Sequence, residues 1–154
     1  MGALENRIPP PLVATLFGLL MWLAAHHLPG ALELKVEWRA SIALLVLLAG
    51  VAICLAGVLS FRVARTTVNP LRPETASALV RSGIYRHTRN PMYLGFATGL
   101  LAWSVYLAWP PALLGVLGFV LYMNRFQIAP EERALTGLFG NDFVQYCSQV
   151  RRWL

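Results

Sequence analysis

Apolar residues along this chain gather in four long blocks, and polar residues fill the gaps between them. The blocks are Leu12–Leu28, Ala40–Phe61, Met92–Trp109 and Pro111–Ile128. A helix needs about 20 predominantly apolar residues to cross a bilayer, with roughly 17 to 25 tolerated. Each block therefore predicts a membrane-spanning helix, the first being at the short end. Pro29-Gly30 closes the first block, and Arg39 and Arg62 bracket the second. No charge occurs between Arg89 and Arg125, and Pro110-Pro111 interrupts that stretch near its middle. Proline stops one helix and suits the first turn of the next, so Met92–Ile128 predicts a helical hairpin that crosses and returns.

From Glu131 onward the pattern changes. Leu135, Leu138, Phe139, Phe143, Tyr146 and Val150 recur mostly at spacings of three and four, which predicts an amphipathic helix on the membrane surface. Pro130 suits its first turn, and Gly140 is its candidate break. Between the second and third blocks, Asn69-Pro70 and Arg72-Pro73 are turn signals, and Thr75–Arg81 predicts a short helix. The expected fold class is all-α: a polytopic membrane helix bundle of about four transmembrane helices plus a C-terminal cytoplasmic amphipathic helix. Residues 1–154 form one domain, with two N-terminal spans in 1–61, a cytoplasmic loop over 62–91, the helical hairpin over 92–128 and a lid segment over 129–154.

Composition agrees with a membrane protein. The chain is 57% hydrophobic and only 13% charged, where a soluble domain carries about a quarter charged residues. Its net charge is +6, and twelve of its thirteen basic residues are Arg. Such a balance can serve nucleic acid, but here the basic residues flank apolar blocks, where they set topology and meet anionic headgroups. No nucleic-acid partner is expected. Arg62, Arg65, Arg72, Arg81, Arg86 and Arg89 stand against Glu74 in one loop, whereas Glu33 and Glu37 offset Lys35 and Arg39 in the other. The positive-inside rule puts the Arg-rich loop, and with it both termini, in the cytoplasm. The first block lacks the basic flank and short core of a signal peptide, so it predicts a retained helix. Cys54 and Cys147 fall in no metal-binding or disulfide spacing, and no metal is expected.

Two polar groups stand out at the edges of the hairpin. Arg89-Asn90-Pro91-Met92-Tyr93 heads the third block, and Asn124, Arg125, Glu131 and Glu132 lie at and just past the end of the fourth. Because the hairpin reverses, Tyr93 and Arg125 return to similar depth. Bland explanations exist for most of these residues: Arg89 and Arg125 as headgroup anchors, Tyr93 as an aromatic-belt residue, the glutamates as partners of a helix dipole. Asn124 is harder to dismiss, because an amide has no long stem with which to leave the bilayer. Adjacent glutamates on a helix point about 100° apart, so only one need face a site.

The run Gly83-x-Tyr85-Arg86-x-x-Arg89-Asn90-Pro91-Met92-Tyr93-x-Gly95, followed by Glu131-Glu132-x-x-Leu135-x-x-x-Phe139-Gly140-x-x-Phe143-x-x-Tyr146-x-x-x-Val150-x-Arg152-Trp153, resembles the isoprenylcysteine carboxyl methyltransferase and phospholipid methyltransferase superfamily. The resemblance covers roughly Pro70 to Trp153. It implies an integral-membrane enzyme with a cytoplasmic-side pocket for S-adenosylmethionine and a lipophilic acceptor that enters from the bilayer. By position, Tyr85, His87, Arg89, Asn90, Tyr93, Leu94, Gly95, Glu131 and Glu132 would bind the cofactor, and Asn124 and Arg125 would serve catalysis. Such residues suit the donor: carboxylates accept from its ammonium or ribose diol, Arg and helix N-terminal N–H groups hold its carboxylate, and aromatic rings face adenine or sulfonium. The acceptor would be a carboxylate, thiol or amine on a lipid or lipophilic small molecule. Membrane lipids are expected partners, a homo-oligomer is possible, and a bacterial or archaeal inner membrane is the expected location. Three other readings stay open: a non-catalytic scaffold, a small multispan transporter, and an NADPH-dependent reductase. The transporter is disfavoured because no acid lies inside any of the four blocks.

Overall fold

The computed structural model describes residues 5–64 and 77–154, and all regular structure among them is helical. Helix α1 runs Pro10–His27, with Pro10 in its first turn and Leu28 extended behind it. Helix α2 runs Val36–Val63, starting four residues before the predicted block because Glu37 lies in its first turn, near the positive end of the helix dipole. Helix α3 runs Pro91–Leu107. It begins sharply because proline favours the first helical position and forces the preceding Asn90 out of the α region. It ends at Ala108, whose φ of 50° is left-handed. A short 3₁₀ turn, Pro110–Ala112, then leads into helix α4, Leu113–Tyr122.

From there the helix does not stop where the sequence pattern breaks. A π-helical turn, Met123–Ile128, joins α4 directly to helix α5, Ala129–Phe139. Pro130 therefore sits inside a continuous helix and cannot donate to the carbonyl of Phe126, four residues earlier. The Asn6 N–H takes that carbonyl instead, at 3.0 Å. A strap from the N-terminal segment thus replaces the hydrogen bond that proline removes. The predicted amphipathic segment is two helices, α5 and α6 (Asn141–Gln149), divided at Gly140 with φ 53° and ψ −126°. That conformation is open to glycine and strained for other residues.

Among the described residues, three helices are long and apolar enough to cross a membrane: α1, α2 and the continuous helix from Pro110 to Phe139. At 17 residues, α3 stands at the short end of the spanning range. It is nevertheless the centre of the bundle, with α2 packed along it and α1 and α4 on other sides. Gly50 and Gly95 let α2 and α3 approach closely: a Cβ on Gly95 would lie 2.7 Å from the Gly50 carbonyl oxygen. Phe119, Met123 and Ile128 are fully buried at the core with Val13, Met21 and Leu100. Leu44, Leu45, Leu48, Val51, Leu55 and Leu59 on α2 point outward, an apolar exterior suited to acyl chains. A second, small cluster of Phe143, Tyr146 and Val150 packs with Leu79, Leu135 and Phe139. Residues 77–81 are not helical. The rest of the predicted short helix and the turn signals around Asn69-Pro70 and Arg72-Pro73 lie outside the described residues.

A candidate active site at one end of the bundle

The start of α3, the α4–α5 junction and the C-terminal tail meet in one cluster of paired charges. Arg89, just before α3, donates from Nη2 to Glu132 Oε1 at 2.7 Å. Its Nη1 donates to the carbonyls of Cys147 and Val150 at 3.0 and 2.9 Å. From the other side Arg152 grips the same carboxylate in two places, Nη2 to Oε2 at 2.5 Å and Nε to Oε1 at 3.1 Å. Glu132 is thus held between two guanidiniums. Glu131 faces another direction: Tyr93 Oη and Gln127 Nε2 both donate to its Oε1, at 2.5 and 2.8 Å. Asn124 Oδ1 accepts from Trp153 Nε1 at 3.0 Å and from Arg152 Nη1 at 3.4 Å.

The π turn explains how both glutamates reach the cluster. Eight residues of ordinary α-helix rotate by about 800°, leaving Glu132 roughly 80° from Asn124. A wider i→i+5 turn between them absorbs most of that offset, and the Ala129 N–H to Asn124 carbonyl bond marks it. Arg152 then reaches Asn124 and Glu132 together. Glu131, one residue earlier, points to Tyr93 on α3.

The tail is fastened through its backbone as well. Beyond α6 the chain is extended at Val150 and crosses the start of α3. The Arg89 N–H donates to the Arg151 carbonyl at 3.0 Å, and Asn90 Nδ2 donates to the Arg152 carbonyl at 2.9 Å. Thr88, 1% exposed, adds its hydroxyl to the same carbonyl at 3.4 Å and accepts the Asn90 N–H at 3.2 Å. Underneath, Tyr146 Oη donates to the Tyr85 carbonyl at 2.7 Å, and the Tyr85 ring meets Phe61 edge-on. Burial pushes both the Tyr85 and Tyr146 hydroxyls well above the ordinary tyrosine pKa, and burial also raises the Cys147 thiol.

Of the residues singled out from the sequence, Arg89, Asn90, Tyr93, Asn124, Glu131 and Glu132 come together here. Tyr85 is buried beneath the tail. Leu94 is half-buried and donates its N–H to the Asn90 carbonyl, and Gly95 stands at the α2–α3 contact. His87 is exposed at the end of the 3₁₀ turn Gly83–Arg86. Arg125 points away: its side chain is 63% exposed and pairs with Glu5 at 3.3 Å, beside the Arg133–Glu5 pair at 2.7 Å. Arg152 and Trp153, which the sequence pattern included but to which it gave no site role, join the cluster, as do Gln127 and Thr88, which it did not include. Gln127 carried a usable signal, because it repeats the anomaly of Asn124 (an amide in an apolar block) four residues before Glu131. Among the described residues no group of three His, Cys, Asp or Glu side chains comes together as metal ligands would.

The sequence profile of phospholipid methyltransferases matches residues 38–142. The chain is 31% identical over 136 residues to a probable protein-S-isoprenylcysteine O-methyltransferase of Oryza sativa, covering 84% of this chain and 70% of that protein. It is 31% identical over 83 residues to protein-S-isoprenylcysteine O-methyltransferase B of Arabidopsis thaliana, which is 52% of this chain and 41% of the plant protein. An uncharacterized protein of Haemophilus influenzae is 48% identical over 63 residues, 41% of this chain and 100% of that one.

Proposed function

We propose that this chain, which belongs to the phospholipid methyltransferase family, transfers a methyl group from S-adenosylmethionine to a lipophilic acceptor reached from the bilayer. Membership makes it a membrane methyltransferase of the phospholipid and isoprenylcysteine type. The observation that carries the finer reading is the convergence of Arg89, Tyr93, Asn124, Glu131 and Glu132 in one half-buried cluster at the end of an apolar bundle. A membrane protein has little reason to gather such groups at one bilayer edge unless they hold something polar.

The residues fit the donor. Arg89 Nε is buried without a hydrogen-bond partner, a donor suited to the carboxylate of an amino acid. Glu131 is the natural acceptor for a ligand ammonium or ribose hydroxyls, since its Oε1 alone takes both protein donors. When bound, S-adenosylmethionine supplies a methyl carbon activated by a sulfonium. The chain's own part is to hold donor and acceptor in line, which is where most of the acceleration in such a displacement arises. A thiolate or carboxylate acceptor arrives ionised and needs no base; an amine has to shed a proton first.

The cytoplasmic face is the side that the Arg distribution supports for this pocket. Arg62, Arg81, Arg86, Arg89, Arg125, Arg133, Arg151 and Arg152 belong to the segments at the site end, against Lys35 and Arg39 in the opposite linker. Titration of the purified full chain in detergent with S-adenosylmethionine, and separately with NADPH, tests the reading. Saturable binding of the first, abolished by Glu131→Gln together with Glu132→Gln, is expected. Binding of NADPH alone, or of neither, refutes it. A radiolabelled methyl donor offered with lipid extracts then identifies the acceptor.

A further inference from the structure

We propose that Gln127 is a positioning residue of this pocket: with Tyr93 it fixes Oε1 of Glu131 and turns Oε2 toward the ligand, while Glu132 is committed to holding the C-terminal tail. This deepens the methyltransferase reading and rests on it. Gln127 is 2% exposed, between the buried Met123 and Ile128. An amide is costly to bury there unless it is hydrogen-bonded, and its Nε2 donates to Glu131 Oε1 at 2.8 Å. Tyr93 reaches the same oxygen from α3. Two donors from two helices on one oxygen fix a carboxylate's plane more firmly than either alone, because rotation about the carboxylate stem breaks one bond or the other. Among the described residues no donor reaches Oε2. Glu132 differs in kind. Both of its oxygens are taken, by Arg89 and by an Arg152 that also spans to Asn124. The two neighbouring glutamates therefore have separate duties, one toward the ligand and one toward the fold.

The π turn carries both amides: Gln127 bonds Glu131 directly, and Asn124 meets Glu132 through Arg152. Among the described residues, the charged and titratable groups that face this cluster are Glu131 and Glu132 on α5, Tyr93 on α3, Tyr85 on the 3₁₀ turn Gly83–Arg86, Arg89 ahead of α3 and Arg152 on the tail.

Binding of S-adenosylmethionine by the full chain, measured by calorimetry in detergent for wild type, Gln127→Met and Gln127→Glu across pH, tests the assignment. Gln127→Met should weaken binding about tenfold at every pH, the value of one hydrogen bond to a charged group. Gln127→Glu should bind close to wild type under mildly acidic conditions, where it shares a proton with Glu131, and should lose affinity as the pH rises and two carboxylates face each other. A merely structural role would not produce that pH-dependent rescue. Unchanged affinity in Gln127→Met, or a Gln127→Glu that matches it at every pH, overturns the assignment.

A ligand-free readout separates this from failure of the methyltransferase reading. In protein labelled with ¹⁵N-glutamine, the Gln127 side-chain amide resonance should move in Glu131→Ala and stay in place in Glu132→Ala. No movement in the first, or equal movement in both, overturns the positioning role whether or not wild type binds the donor. If Gln127→Met does not fold, Gln127→Glu and the resonance decide.

Discussion

Replacing Gly95 with alanine adds one methyl group at the tightest point of the bundle. An ideal Cβ there would lie 2.7 Å from the Gly50 carbonyl oxygen, 2.9 Å from Cys54 Cβ and 3.2 Å from the Cys54 backbone nitrogen. Ordinary carbon–oxygen contacts between helices begin at about 3.3 Å, so α2 and α3 must part by roughly 0.6 Å. The obstacles are mainly backbone atoms, which no rotamer change can move. Overpacking of this kind costs about 1–3 kcal/mol, against which alanine recovers about 1 kcal/mol of helix propensity. A net loss of up to about 2 kcal/mol is expected, read as a lowered unfolding temperature in detergent. Gly99 on the same helix is the internal control: its Cβ would meet only Leu47 Cδ1, at 3.9 Å. Gly99→Ala should therefore be neutral or stabilising by up to about 1 kcal/mol. Because Tyr93 lies two residues before Gly95, Gly95→Ala should also disturb the Tyr93–Glu131 bond. Equal thermal stability for the two variants would refute close backbone approach as the reason for glycine at position 95.

Glu132→Gln leaves Arg89 and Arg152 without their shared carboxylate. About 2–3 kcal/mol is expected for the charged hydrogen bonds on the Arg89 side, and less on the Arg152 side, where 37% exposure lets water screen the pair. Faster tryptic cleavage at Arg151 and Arg152 would report the loosened tail, and an unchanged cleavage rate would contradict the latch. Tyr146→Phe removes the 2.7 Å bond to the buried Tyr85 carbonyl and should cost about 1 kcal/mol, measured by hydrogen exchange around Tyr85. Since burial raises the Tyr85 and Tyr146 hydroxyls, their contribution to stability is complete below the ordinary tyrosine value near pH 10 and is lost above it as the unfolded chain ionises first. Alkaline melts should fall above that point, and less steeply in Tyr146→Phe. Ala108→Gly relieves a left-handed alanine at the end of α3 and should raise the melting temperature by the equivalent of about 1 kcal/mol; a lowered melting temperature would refute strain at that position.

The Asn90-Pro91 start of α3, the Pro110-Pro111 reversal and the break at Gly140 were all legible because each depends on a residue's own backbone restrictions. Pro130 was misleading for the same reason: its local effect is to end a helix, but Asn6, far away in sequence, supplies the missing donor. Arg125 shows the matching limit within the site. Beside Asn124 in sequence, it faces Glu5 instead of the cluster, because helical rotation separates neighbours and only the strap decides which side Arg125 meets.

What the chain alone determined was its all-helical class and the placement of its long apolar helices, since block length, charge placement and proline position act over one or two helical turns. The tertiary structure decided which oxygen meets which donor. Glu131 and Tyr93 are 38 residues apart, and Glu132 and Arg89 are 43 apart. The π turn that turns both carboxylates into the cluster leaves no mark in apolar periodicity, being a shift of one residue that only packing against α3 and the returning tail selects.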